Sequence, residues 1–192
     1  MIGIIDYGVG NIRAFSRAFR LLNMSYTIID CPSKFNDGLS KIILPGVGSF
    51  DHAMRSLELS GMRNILDFLV LEKKIPTLGV CVGFQMFCGS SEEGEASGLG
   101  WIPGEVKRIN FDFLGEDMPL PHMGWNKLDI MQSNQLTNGI DAEKGFYFLH
   151  SYQVAIAKEY VLAYSNYGHA ITSICQYDNI YGIQPHPEKS HV

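Results

Sequence analysis

The chain has 192 residues, of which 46% are hydrophobic and 18% charged, and a formal net charge of −5. That length buries a sizeable core and predicts one domain over residues 1–192, and the composition excludes a disordered chain. Lysine and arginine form no block, which excludes the electrostatic footprint of a nucleic-acid binder. No apolar run approaches the ~18 residues a membrane span needs, and the start lacks a secretory leader's basic region and cleavage site. Cys31, Cys81, Cys88 and Cys175 fit neither a zinc site nor a disulfide framework. A reduced, cytoplasmic setting with no metal and no cofactor is expected.

In chain order, Ile2–Asp6 reads as a strand that ends in the glycine turn Tyr7-Gly8-Val9-Gly10-Asn11. A helix follows, with Ile12, Phe15, Phe19 and Leu22 at helical spacing. Tyr26–Ile29 and Ile42–Leu44 read as strands, the second ending at Pro45-Gly46-Val47-Gly48. Helices are expected around His52–Leu57 and over Ile65–Glu72, the latter offering Leu66, Leu69 and Leu71 to a core. Thr77–Val80 is a further strand, and Val82–Phe87 opens a helix. This alternation predicts an α/β fold: a largely parallel sheet with helices on both faces. Glycine turns sit at the C-terminal ends of three strands, the edge where open α/β sheets bind ligands.

The second half is short-segmented and aromatic. Phe146–Leu149, Tyr160–Tyr164, Thr172–Gln176 and Tyr181–Gln184 read as strands, with Asp178-Asn179 as a hairpin turn. This half should join the same sheet or add an antiparallel layer. Residues 110–118 read only as a variable loop.

Gly79-Val-Cys81-Val-Gly83 carries the first chemical signal. Glycines two residues either side of Cys81 match a nucleophile elbow, where a sharp strand-to-helix turn leaves no room for side chains. The following helix N-terminus favours a thiolate. A buried packing cysteine is the bland alternative, and it is the reading for Cys31, Cys88 and Cys175. A nucleophile needs a base and an orienting group. His186 lies just past the last predicted strand between two prolines, with Glu188 two residues on. The Pro45–Gly48 turn and the Val82 amide offer backbone N–H groups for an oxyanion. Trp125 and Tyr147 read equally as core aromatics, Glu93 as a loop charge, and His122, His150 and His169 as structural.

Gly79-Val-Cys81-Val-Gly83-Phe-Gln85 with His186-Pro-Glu188-Lys189-Ser190 resembles the triad signature of class I glutamine amidotransferases. Asp6-Tyr-Gly-Val-Gly-Asn11, Pro45-Gly-Val-Gly48, Pro121-His-Met-Gly-Trp-Asn126 and His150-Ser-Tyr152 resemble its HisH branch, the glutaminase subunits of imidazole glycerol phosphate synthase. The resemblance runs along essentially the whole chain. It implies a flavodoxin-like, three-layer fold and hydrolysis of L-glutamine by Cys81, His186 and Glu188, with Val47, after a peptide flip, and Val82 as the oxyanion hole. Gly46, Gln85, Glu93 and the main chain of Ser151 and Tyr152 would hold the substrate. Asn11, Trp125, Tyr147 and Lys189 would face a HisF-type (β/α)₈ synthase partner in a heterodimer, which receives the ammonia. Two alternatives stay open: a paralogue feeding sugar amidation in surface-polysaccharide synthesis, and a non-catalytic binding subunit. Two departures stand out. Pro185 occupies a position commonly phenylalanine in the family, so the strand end there is expected to differ, and the sequence stops at Val192, where members usually continue into a C-terminal helix.

Overall fold

The computed structural model describes residues 1–110, 112 and 118–190. The elements, in chain order, are β1 (Ile2–Ile5), α1 (Ile12–Leu21), β2 (Tyr26–Ile29), β3 (Lys41–Gly46), α2 (Phe50–Leu59), α3 (Arg63–Asp67), β4 (Thr77–Cys81) and α4 (Val82–Gln85). Then come β5 (Gly104–Arg108), β6 (His122–Asn126), β7 (Asp129–Ile130), β8 (Phe146–His150), β9 (Tyr152–Ile156), β10 (Val161–Tyr167), β11 (His169–Tyr177) and β12 (Ile180–Ile183).

Eight strands form one sheet in the order β2-β1-β3-β4-β12-β11-β10-β7. The first five are parallel, and β11, β10 and β7 continue the sheet antiparallel. β1 and the centre of β3 are buried residue after residue, as parallel strands covered on both faces must be. The chain runs from β1 to β2 in one direction along the sheet and from β3 to β4 in the other, so the right-handed crossover rule assigns α1 to one face and α2 with α3 to the opposite one. Two antiparallel ribbons, β5–β9 and β6–β8, stand apart from the main sheet. The larger core cluster packs the parallel strands against the helices, and a smaller one gathers Leu128, Phe148, Leu162, Ala163, Ile174 and Ile183.

Three expectations need correction. Leu22 does not join the core face of α1; the helix stops at Leu21, Asn23 turns at φ 51°, and Leu22 is left 60% exposed. Over Phe68–Glu72 the helix relaxes into a π turn. Val70 thereby takes the inward position, while Leu71 is exposed and Leu69 packs at the margin. Pro45-Gly46 is the end of β3 rather than a turn beyond it. The variable loop expected over 110–118 lies largely outside the described residues.

Candidate active site

Cys81 ends β4 and begins α4 with φ 54° and ψ −115°, a conformation that costs a non-glycine residue about 1–3 kcal/mol. The flanking glycines show why the turn can close. A Cβ on Gly79 would sit 2.5 Å from the Phe87 ring, and one on Gly83 would sit 2.0 Å from the Leu44 carbonyl oxygen. A Cβ on Gly46 would fall 2.2 Å from the Gly83 nitrogen, so the end of β3 presses on the start of α4 and brings Val47 beside the elbow. Tyr7 braces that strand end by donating its hydroxyl to the Pro45 carbonyl at 2.7 Å. Burial, with the charge on Cys81 adding, pushes the Tyr7 hydroxyl's pKa up, so it stays a donor.

His186 arrives from the neighbouring strand. Parallel pairing of Ile183 with Val80 carries the β12 chain end past Cys81. The His186 N–H then donates to the Tyr147 carbonyl at 2.8 Å, tying the turn to β8. Pro185 lacks an N–H, and β12 stops before it at Ile183. Ser190 locks the same turn: its hydroxyl donates to the His186 carbonyl and accepts from the Tyr147 N–H.

His186 Nδ1 lies 2.9 Å from Glu188 Oε1, with both side chains nearly inaccessible. The carboxylate only accepts, so Nδ1 is the donor and Nε2 is the nitrogen left for Cys81. Burial pulls the His186 pKa down. The hydrogen bonds and charges of Cys81 and Glu188 outweigh it and lift His186 to about 9. Cys81, His186 and Glu188 thus lie in one row, and the arrangement has the chemistry of a nucleophile, a base and an orienting carboxylate.

A cleft of about 670 Å³ opens over Cys81. Of the residues predicted from sequence, Asn11, Val47, Val82, Gln85, Glu93, Ser151, Tyr152, His186 and Lys189 line it. Gly46, Trp125, Tyr147 and Glu188 lie outside its wall. Glu93 is no solvated loop charge: its carboxylate accepts from the Phe50 N–H at the start of α2 at 2.8 Å. Asp51 fixes the adjoining turn by accepting from the Glu95 and Ala96 N–H groups. Trp125 is 47% exposed and meets Tyr147 edge-on at 5.9 Å, and Lys189 Nζ lies 5.3 Å over the Tyr147 ring. Trp125, Tyr147 and Lys189 therefore share one face beside the cleft mouth. Among the described residues no group of three or more His, Cys, Asp or Glu could hold a metal ion, and no helix is long and apolar enough to cross a membrane.

The glutamine amidotransferase class-I family model matches residues 3–192. The chain belongs to the class I glutamine amidotransferase family. Curated relatives agree along the full length. The imidazole glycerol phosphate synthase subunit HisH of Leptospira borgpetersenii is 48% identical over 192 residues, covering 100% of this chain and 94% of the relative. The HisH subunit of Bdellovibrio bacteriovorus is 46% identical with the same coverages. Solved structures share the fold at lower identity. One glutamine amidotransferase superposes with a TM-score of 0.72 at 18% identity, over 97% of this chain and 90% of the other. PurLQS from Thermotoga maritima gives 0.71 at 18%, over 98% and 87%.

In this amidotransferase the sequence reading missed Gln184. Its side-chain amide donates toward Cys81 Sγ at 3.7 Å, and its carbonyl accepts from Gln85 Nε2 at 3.1 Å. The signal was the parallel register of β12 on β4, which strand prediction alone does not supply. Tyr7, Asp51 and Ser190 were likewise given no role, because each acts on the backbone of a residue distant in sequence or hidden in a turn.

Proposed function

We propose that the chain is a glutaminase subunit that hydrolyses L-glutamine to glutamate and ammonia. The observation that carries this reading is the buried Cys81–His186–Glu188 row at the end of β4, whose Cys81 and His186 line the cleft of a class I amidotransferase. His186 takes the Cys81 proton, and the sulfur attacks the side-chain amide carbon of glutamine. The carbonyl electron pair moves to oxygen, where the Val47 and Val82 N–H groups receive it, Val47 after a peptide flip. The C–N bond breaks as His186 returns the proton to nitrogen, releasing ammonia and leaving a glutamyl thioester. His186 then deprotonates a water, which attacks the thioester carbon, and the C–S bond breaks to give glutamate and restore Cys81. Glu188 holds the imidazole throughout. Gly46, Gln85, Glu93 and the main chain of Ser151 and Tyr152 hold the substrate.

The ammonia passes to a HisF-type (β/α)₈ synthase subunit in a heterodimer that makes imidazole glycerol phosphate in histidine biosynthesis, in the cytoplasm. The shared face of Trp125, Tyr147 and Lys189 beside the cleft mouth supports a docked partner, with Asn11 in the cleft wall. Relatives named as subunits of imidazole glycerol phosphate synthase support this acceptor over sugar amidation. In the reconstituted pair, Cys81→Ala abolishes glutamine-dependent synthesis while ammonia-dependent synthesis by the partner survives. Loss of both would contradict the division of labour.

A further inference from the structure

β6 and β8 pair His122 with His150, and both residues are buried. His150 lines the cleft next to Ser151 and Tyr152. His150 Nδ1 lies 2.8 Å from the Tyr152 carbonyl oxygen, and His150 Nε2 lies 3.1 Å from His122 Nδ1. His122 Nε2 lies 3.2 Å from Asn126 Nδ2, which also donates to the Asn166 carbonyl at 2.9 Å. Phe148 and Tyr167 stack on His122 with centroids 4.6 and 4.1 Å away and hold its plane.

These contacts admit one arrangement of protons. A carbonyl only accepts, so His150 Nδ1 carries the hydrogen. Burial pulls the His122 pKa down to about 4, and burial with His122 beside it takes His150 to about 3, so each ring carries one proton near neutral pH. His150 Nε2 is then an acceptor, and His122 Nδ1 must donate to it. His122 Nε2 in turn accepts from the Asn126 amide. Every N–H in the row points toward Tyr152. A second proton on either ring would set two donors face to face in a buried site.

The Tyr152 carbonyl is a junction. It also accepts from Gln85 Nε2 at 3.0 Å, and Gln85 leads through Gln184 to the Cys81 sulfur. We propose that His150 and His122 are positioning residues for glutamine, forming a one-directional hydrogen-bond relay that fixes the Tyr152 peptide and the Gln85 side chain on the substrate side of the cleft. The relay rests on the glutaminase reading for its ligand. It also anchors the substrate wall to the ribbon that carries Trp125 and Tyr147.

Two measurements test it. The ¹⁵N resonances of the native chain's imidazoles report the tautomers, and His122 and His150 are both expected as the Nδ1–H form. Glutamine is also titrated into the Cys81→Ala chain, which binds without turnover. Adding His150→Phe, which keeps ring volume but has no nitrogen, weakens glutamine about tenfold. Adding His150→Asn instead, whose side-chain N–H reaches the same carbonyl, recovers most of that affinity. An Nε2–H tautomer at either ring overturns the relay, and so does a folded His150→Phe chain that binds glutamine as tightly as its parent. If the Cys81→Ala parent binds no glutamine, the glutaminase reading fails instead, and the tautomers still decide the relay.

Discussion

Gln184 holds its side-chain amide 3.7 Å from the Cys81 sulfur, across the junction of two parallel strands. A donor there stabilises negative charge on sulfur. Gln184→Leu removes the donor and keeps the volume. Alkylation of Cys81 by iodoacetamide at neutral pH should slow several-fold, the size of one hydrogen bond worth about 1 kcal/mol. An unchanged rate would mean that the amide serves only Gln85.

The elbow sets a second expectation. Gly83→Ala drives a methyl to 2.0 Å from the Leu44 carbonyl, a backbone atom that cannot turn aside. The cost should be about 3 kcal/mol or more, a fall in melting temperature on the order of 10 °C. Gly89, whose Cβ would meet nothing within 4 Å, is the control position, and Gly89→Ala should change little.

Stability should depend on pH with two opposed limbs. His186 is raised from its ordinary 6.5 to about 9, so its contribution is full below 6.5 and is lost as pH rises toward 9. His122 and His150 are lowered from 6.5 to about 4 and about 3. The unfolded chain takes up their protons first, so their contribution is present above 6.5 and is lost as pH falls from there toward 3. Thermal melts across pH should peak near neutrality. Cys81→Ala should flatten the alkaline limb, and His150→Phe should flatten part of the acid limb. An alkaline limb indifferent to Cys81→Ala would contradict the His186 coupling.

Trp125 is the expected anchor for the partner, being half-exposed and edge-on to Tyr147. Truncating an aromatic anchor typically costs about 2 kcal/mol of binding or more. Trp125→Ala should therefore weaken the affinity for a HisF-type subunit by about thirtyfold or more, measured by titration of one subunit into the other. Its melting temperature should move little. Full affinity in that variant would place the docking surface elsewhere.

The parallel half of the fold was legible because buried strands write themselves as apolar runs. Ile2-Gly-Ile-Ile5 and Thr77–Val80 are such runs, each followed by the glycines its turn requires. Of the ribbons only β8 was legible, as Phe146–Leu149: in β5 only Val106 is buried, and β6 alternates His122 with exposed Met123 and Trp125, so neither offers a hydrophobic period. Leu22 and Leu71 misled because helical spacing assumes that the helix continues, while one ended and the other loosened into a π turn. At the site, glycine spacing pointed to Cys81 and proline-flanked chemistry pointed to His186. Gln184 and the His122–His150 row were silent because their meaning lies in strand register: His122 meets His150 only once β6 is laid against β8.

The most direct test of the central claim is glutamate release from glutamine by this chain, with and without a HisF-type partner and its nucleotide substrate. Release that the loaded partner stimulates, and that disappears in Cys81→Ala, is expected. Release that persists in Cys81→Ala, or none under any pairing from the folded chain, would contradict it.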